Sequence, residues 1–128
     1  MQNRIIVRFT DGKILKGTTV DLLPNKSVFH LNENDTGAIH KIDIVNLKAI
    51  YFVKSFGGNK DYQDKNDIER VGLGKKIRVS FKDGETLVGY TQGYSANRSL
   101  FIVFPCDPDS NNEKVFVVTG ATDNVAFV

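Results

Sequence analysis

The segment Val7-Arg8-Phe9-Thr10-Asp11-Gly12-Lys13-Ile14-Leu15-Lys16-Gly17 recurs as Val79-Ser80-Phe81-Lys82-Asp83-Gly84-Glu85-Thr86-Leu87-Val88-Gly89. The match continues in register from Ser27-Val28-Phe29 to Ser99-Leu100-Phe101, a constant offset of 72 residues. Similarity held in register over such a span marks a duplicated unit, so whatever one copy folds into, the chain contains twice. The first copy runs from residue 4 to 56 and the second from 76 to 128, giving units 1–56 and 76–128 around a linker, 57–75. At roughly 53 residues, a copy sits at the low end of what folds alone, and each is expected to lean on the other.

The strand signal inside each copy is an alternation of period two, with Ile5, Val7 and Phe9 matched by Ile77, Val79 and Phe81. Such alternation predicts a strand with one buried face. Asp11-Gly12 and Asp83-Gly84 then separate that strand from a second at 14–20 and 86–93. Asp-Gly between such runs predicts a tight hairpin, here expected as a type I′ turn, and makes both aspartates turn residues rather than catalytic acids. Gly17 and Gly89 fall inside the second strand and predict a sharp bend there. A third strand is expected at 28–31 and 100–104, a fourth at 39–45 and 114–118, and a fifth at 49–53 and 124–128. The offset grows to 73 at the fourth strand and 75 at the fifth, increments that belong in loops. The linker, with Gly pairs around a charge-balanced middle, has room for a short helical turn between 61 and 70.

Composition narrows the class further. The first copy carries 8 basic and 5 acidic side chains, the linker 4 and 4, and the second copy 5 and 6, so the net charge of +2 comes from the first copy. That is well short of the basic excess of an electrostatic nucleic-acid binder. No apolar run approaches the ~18 residues of a membrane span. The start at Met1 shows no secretory signal, and the single Cys106 excludes an intrachain disulfide framework. The expectation is a cytoplasmic protein.

Five short strands with a bent second one and an Asp-Gly hairpin describe a small barrel of the SH3 type. Phe9 through Gly17 resembles the first motif of the Sm-like family, and Ile42-Asp43-Ile44-Val45-Asn46-Leu47-Lys48-Ala49-Ile50 resembles its second, particularly in the bacterial host-factor branch. The paired arrangement is similar to a group of bacterial proteins with two such halves. The resemblance implies an all-β chain of two tandem five-stranded Sm-like or SH3-like barrels packed against each other. It also implies single-stranded RNA as a ligand. The loop after the bent strand departs from the family pattern, and the second motif is lost in the second copy, where Thr119-Gly120-Ala121-Thr122-Asp123 intervenes.

Candidate functional residues are few. Single-stranded RNA asks for aromatic platforms beside a basic groove, which Lys26, Lys48, Tyr90 and Arg98 are the residues to supply, while Tyr94 reads as strand core. In the acidic loop 107–113, Asp107, Asp109 and Asn111 match the first three ligand positions of a calcium loop. The turn glycine and the bidentate Glu are missing, so the loop reads better as a solvated turn. His30, His40 and Cys106 form no metal or nucleophile constellation, so no cofactor and no enzymatic activity are expected.

The copies differ most in their third and fourth strands. The first has His30, Asn32 and Asp43 interrupting its apolar positions, whereas the second has the continuous runs 100–104 and 115–118. A strand apolar on both faces must be covered on both. The outer face carrying Leu100, Ile102, Phe104, Phe116 and Val118 therefore needs a partner: the first copy, the linker, or a second chain in a homodimer. The leading functional expectation is a non-catalytic module that binds an unidentified protein or peptide; the alternative is an RNA binder.

Overall fold

A computed structural model describes residues 3–23, 25–58 and 61–128. The first copy forms β1 (Asn3–Phe9), β2 (Ile14–Thr19), β3 (Val28–Glu33), β4 (Ile39–Asp43), a 3-10 turn at Ile44–Asn46 and β5 (Leu47–Val53). The second forms β6 (Lys75–Phe81), β7 (Thr86–Thr91), β8 (Leu100–Pro105), β9 (Asn112–Val118), a 3-10 turn at Thr119–Ala121 and β10 (Thr122–Phe127). The described part of the linker holds turns and bends, and the expected helical turn does not form there.

All ten strands belong to one antiparallel sheet in the order β10-β6-β7-β8-β9-β5-β1-β2-β3-β4. The all-β expectation holds. In place of two closed barrels packed against each other, the halves join edge to edge in a single open sheet, through β5 against β9. The pairs Ala49↔Val117, Ile50↔Phe116, Tyr51↔Val115 and Phe52↔Lys114 fix that register.

The junction explains the double-sided apolar runs. Ile5, Val7, Phe29, Leu31 and Ile50 of the first copy share one core with Leu100, Phe116 and Val118 of the second. Ala49, Tyr51 and Val53 of β5 lie instead in the other core, with Ile77, Val79, Phe101, Val103 and Val117. Strands β5 and β9 thus each feed two cores, one through each face. The outer face of the second copy is covered by the first copy. Phe104 is the exception: it is half-buried and belongs to neither core.

Two local expectations change. Gly12 and Gly84 do take positive φ, +95° and +94°, but Asp11 and Asp83 do not. Gly12 N–H donates to Phe9 O at 3.1 Å and Phe9 N–H to Lys13 O at 2.9 Å, with Gly84, Phe81 and Glu85 repeating the pattern. This is a three-residue loop, a type I turn closed by a left-handed glycine, rather than type I′. The aspartates select it by accepting from the amide two residues on, Asp11 from Lys13 at 2.9 Å and Asp83 from Glu85 at 3.0 Å. The repeat register also shifts earlier than read from sequence. Phe29 opposes Ile42 as Phe101 opposes Val117, so the offset is already 75 in the fourth strand, and the insertion lies in the acidic loop.

Gly17 and Gly89 sit where the second strand of each copy crosses the third. A Cβ on Gly17 would fall 2.0 Å from Asn32 O, and one on Gly89 2.2 Å from Phe104 O. Only two residue pairs join β2 to β3, and two join β7 to β8, as expected where a strand bends out of register with its neighbour.

Candidate functional site

The outward positions of the first hairpin alternate with its core positions. Ile5 and Val7 of β1 and Leu15 of β2 point inward, leaving Ile6, Arg8, Ile14 and Lys16 on the other face. The register places Ile6 opposite Lys16 and Arg8 opposite Ile14, so apolar and cationic side chains form a two-by-two checkerboard. Beside it run Tyr51 and Val53 of β5, then Phe56, and the second copy closes the far wall with Glu85, Asn111 and Asn112. The result is an open groove of about 380 Å³ along the seam between the repeats.

Its walls are held from both copies. The Arg8 guanidinium lies 5.7 Å from the centre of the Tyr51 ring, and the Lys16 ammonium donates to Phe56 O at 3.3 Å. Tyr51 donates its hydroxyl to Glu85 Oε1 at 3.2 Å. Burial, with the Glu85 carboxylate beside it, pushes the Tyr51 phenol well above its ordinary range and keeps it a neutral donor. Lys48 reaches the same carboxylate at 2.5 Å and Asp83 Oδ2 at 2.7 Å, with its ammonium 4.7 Å from the Phe81 ring. Lys48 shares its single charge between Glu85 and Asp83, while Arg8 and Lys16 have no carboxylate within salt-bridge distance among the described residues. The groove is cationic with an apolar floor.

The acidic loop forms the rim. Asn111 clasps Ser55: its Nδ2 donates to Ser55 O at 2.9 Å and its Oδ1 accepts from Ser55 N at 3.1 Å. Lys54 adds a bond from its ammonium to Pro108 O at 2.7 Å. Asp107 is buried and turned toward the linker, where its Oδ2 accepts from the Tyr62 hydroxyl and from Lys65 N at 2.9 Å. These bonds lower the Asp107 carboxyl below its ordinary 3.8, the Tyr62 hydroxyl first and the Lys65 amide second. The same bond pushes Tyr62 up to about 12. Ser110 completes the clamp by donating to Asp64 Oδ2 at 2.6 Å. Asp107, Asp109 and Asn111 therefore do not converge on a cation position. Among the described residues no group of three or more His, Cys, Asp or Glu is arranged to hold a metal.

The residues singled out for RNA are not assembled into one surface. Lys48 is nine-tenths buried in its ion pairs. Tyr90 is buried too; its hydroxyl donates to Ile68 O and accepts from Arg70 N, both at 3.3 Å, pinning the linker. Lys26 and Arg98 stay exposed in equivalent turns, closed by Lys26 N to Leu23 O and Arg98 N to Ser95 O, both at 3.1 Å. Tyr94 lies after β7 rather than within a strand, half-buried against the second core and edge-on to Phe101 at 4.8 Å. Cys106 is buried, which pushes its thiol up.

Both histidines have carboxylate partners that their sequence spacing did not reveal. His30 Nδ1 lies 2.7 Å from Asp21 Oδ2, and His40 Nε2 lies 2.9 Å from Glu33 Oε1. Asp21 is lowered by the His30 backbone amide and then its ring, and Glu33 by His40 and then Thr36. The groove residues Ile6, Arg8, Ile14 and Lys16 were also missed. Their signal was present: two large apolar residues on the outward positions of a hairpin, where the second copy has Arg78, Ser80, Thr86 and Val88.

The chain belongs to a family of unknown function, DUF6982, whose model matches residues 1–128. No curated protein and no solved structure matches it.

Proposed function

We propose that this family member is a non-catalytic interaction module, two Sm-like small-barrel repeats fused along one seam, whose groove receives an extended acidic peptide segment of a partner protein. The observation that carries the reading is the checkerboard of Ile6, Arg8, Ile14 and Lys16 beside Tyr51, with both of those cations free of carboxylates within salt-bridge distance among the described residues. Apolar contacts supply affinity, and the cations select a segment that alternates apolar and acidic side chains. The Sm-like assignment rests on the repeated strand order, the paired Asp-Gly turns, and the 3-10 turn before the last strand of each half.

A library of short peptides alternating Leu or Val with Glu, immobilised and probed with the full chain, tests the peptide reading. Binding should weaken at least about tenfold in the Arg8→Glu, Lys16→Glu double variant, the loss of roughly 1.4 kcal/mol or more expected of two reversed contacts. Failure of every peptide to bind, or binding indifferent to that variant, overturns the proposal. A random single-stranded RNA pool run alongside provides the competing outcome: an RNA complex lost on Lys26→Ala with Arg98→Ala overturns the peptide reading in favour of nucleic acid.

A further inference from the structure

Tyr90 is buried on the wrong side of its strand. Leu87 of β7 packs against the second core, so Thr86, Val88 and Tyr90 point the other way, yet Tyr90 is only 6% exposed. Its cover is the chain between the repeats. The Tyr90 hydroxyl holds Ile68 O and Arg70 N, and Arg70 Nη1 donates to Pro105 O at 3.0 Å. No residue from 61 to 74 lies in a strand, and each of these fastenings uses a side chain. The segment 61–70 is strapped onto the second repeat without joining its sheet.

The middle of the strap is held by the loop that distinguishes the copies. The offset steps from 72 at Phe101 to 75 at Val117, so the second copy carries its insertion between β8 and β9. That loop supplies the two latches. Buried Asp107 accepts from the Tyr62 hydroxyl and from Lys65 N, and Ser110, itself 1% exposed, donates to Asp64.

Under the strap the fit is incomplete. A cavity of about 130 Å³ lies between Asp64 and Asn66 of the strap and Thr86, Val88 and Cys106 of the second repeat. Tyr51, Glu85 and Asn112 line both this cavity and the open groove, so the two are one depression with its far part covered. The cover also has the chemistry assigned to the groove's ligand. In 61–70, Asp61, Asp64, Asp67 and Glu69 outnumber Lys65 and Arg70, with Tyr62 and Ile68 as its apolar side chains.

We propose that residues 61–70 are an internal ligand that occupies a second peptide site on the second repeat, and that an extended acidic segment of a partner protein takes their place when the strap undocks. This rests on the peptide reading of the groove. A short peptide fills the open part alone, whereas one long enough to continue past Tyr51 and Glu85 must displace the strap. Its apparent affinity is then reduced by the fraction of molecules in which the strap is docked.

Cys106 reports the opening, being the only cysteine of the chain, 1% exposed and part of the covered cavity. The test follows its modification by an aromatic disulfide reagent in the full chain. Well below the unfolding midpoint, the rate is expected to be nearly independent of urea, since lifting a strap exposes little surface. Tyr62→Phe with Asp64→Ala removes two latches from the strap and leaves the second repeat unaltered; it should raise the rate at least about tenfold. A fluorescein-labelled synthetic peptide with the sequence of residues 61–70 should bind this variant at least about tenfold more tightly than the wild type, read by anisotropy, and should slow Cys106 modification in it. A rate that follows the full urea slope of unfolding at every concentration overturns the proposal, as does a variant that reacts no faster. So does a peptide that fails to bind the variant, or binds it without protecting Cys106. If the peptides alternating Leu or Val with Glu all fail while the 61–70 peptide binds and protects, the groove reading falls and the strap site stands; the reverse result removes the strap site alone.

Discussion

Truncating Phe116 tests whether the two repeats are one cooperative unit. By sequence Phe116 belongs to the second copy, but its ring is buried in the core of the first, 5.0 Å from the Phe52 ring centre and beside Leu100 and Val118. Phe116→Ala removes a ring that is 4% exposed, where partial collapse leaves a cavity, and a loss of about 3–5 kcal/mol is expected. Against a total of about 5–15 kcal/mol that is a large fraction. At roughly 3–5 °C per kcal/mol for a chain of this size, the midpoint should fall by about 10–20 °C. Phe104→Ala is the control: half-buried and in neither core, it should cost about 1–2 kcal/mol. Scanning calorimetry reads the midpoint and the number of transitions, and amide exchange shows which strands lose protection. Shared cores require a single transition, with protection lost in β1 and β2 as well as β6 and β7. Two resolved transitions, or a Phe116→Ala effect confined to residues 75–128, would refute the shared-core argument.

Gly17→Ala and Gly89→Ala should each cost about 1–3 kcal/mol or more, because the new Cβ meets a carbonyl of the facing strand, while Gly93→Ala and Gly120→Ala, with open space around them, should stay within about 0.5 kcal/mol in thermal melts. Lys48→Met should let the Asp83 carboxyl, now held down chiefly by Lys48, rise back toward 3.8 in an NMR titration, with a loss of about 1–2 kcal/mol given that both carboxylates are half exposed. Asp107→Asn should bring the Tyr62 phenol from about 12 back toward 10.0 in an absorbance titration and speed proteolytic cleavage within 61–74. Asp21, Glu33, Asp83 and Asp107 are all lowered in the folded state, so the unfolded chain binds more protons in acid. Their stabilisation is complete above about pH 5 and lost as pH falls through the folded values, which denaturant midpoints measured across that range will show or deny.

Periodicity made the strands legible, because one buried face repeats every second residue: Ile5, Val7 and Ile77, Val79 read directly as core. The need for a cover over Leu100, Phe116 and Val118 was equally readable, since a strand apolar on both faces has nowhere dry to stand alone. That the cover is an edge-to-edge join was not readable, because β5–β9 pairing depends on backbone groups that every residue carries alike. The site suffered for a related reason. Lys48 and Tyr90 have the right chemistry for a ligand, but their partners Asp83, Glu85, Ile68 and Arg70 are distant in sequence and meet them only after folding. The groove at Ile6, Arg8, Ile14 and Lys16 lies inside the best-matched segment of the repeat, where the copies share turn and core residues and differ at the outward positions.

The double-faced strands β5 and β9 also set an order of events at the ribosome. The N-terminal half emerges first, with its hairpin and β5 able to pair, but its core lacks Leu100, Phe116 and Val118 until those residues have been synthesised. Until then β5 presents an unpaired edge and an uncovered apolar face, the kind of surface that chaperones hold and that aggregates form from. The duplication thus made the first half dependent on residues of the second, so a nascent chain stalled anywhere in the linker holds an unfinished core rather than a finished first domain.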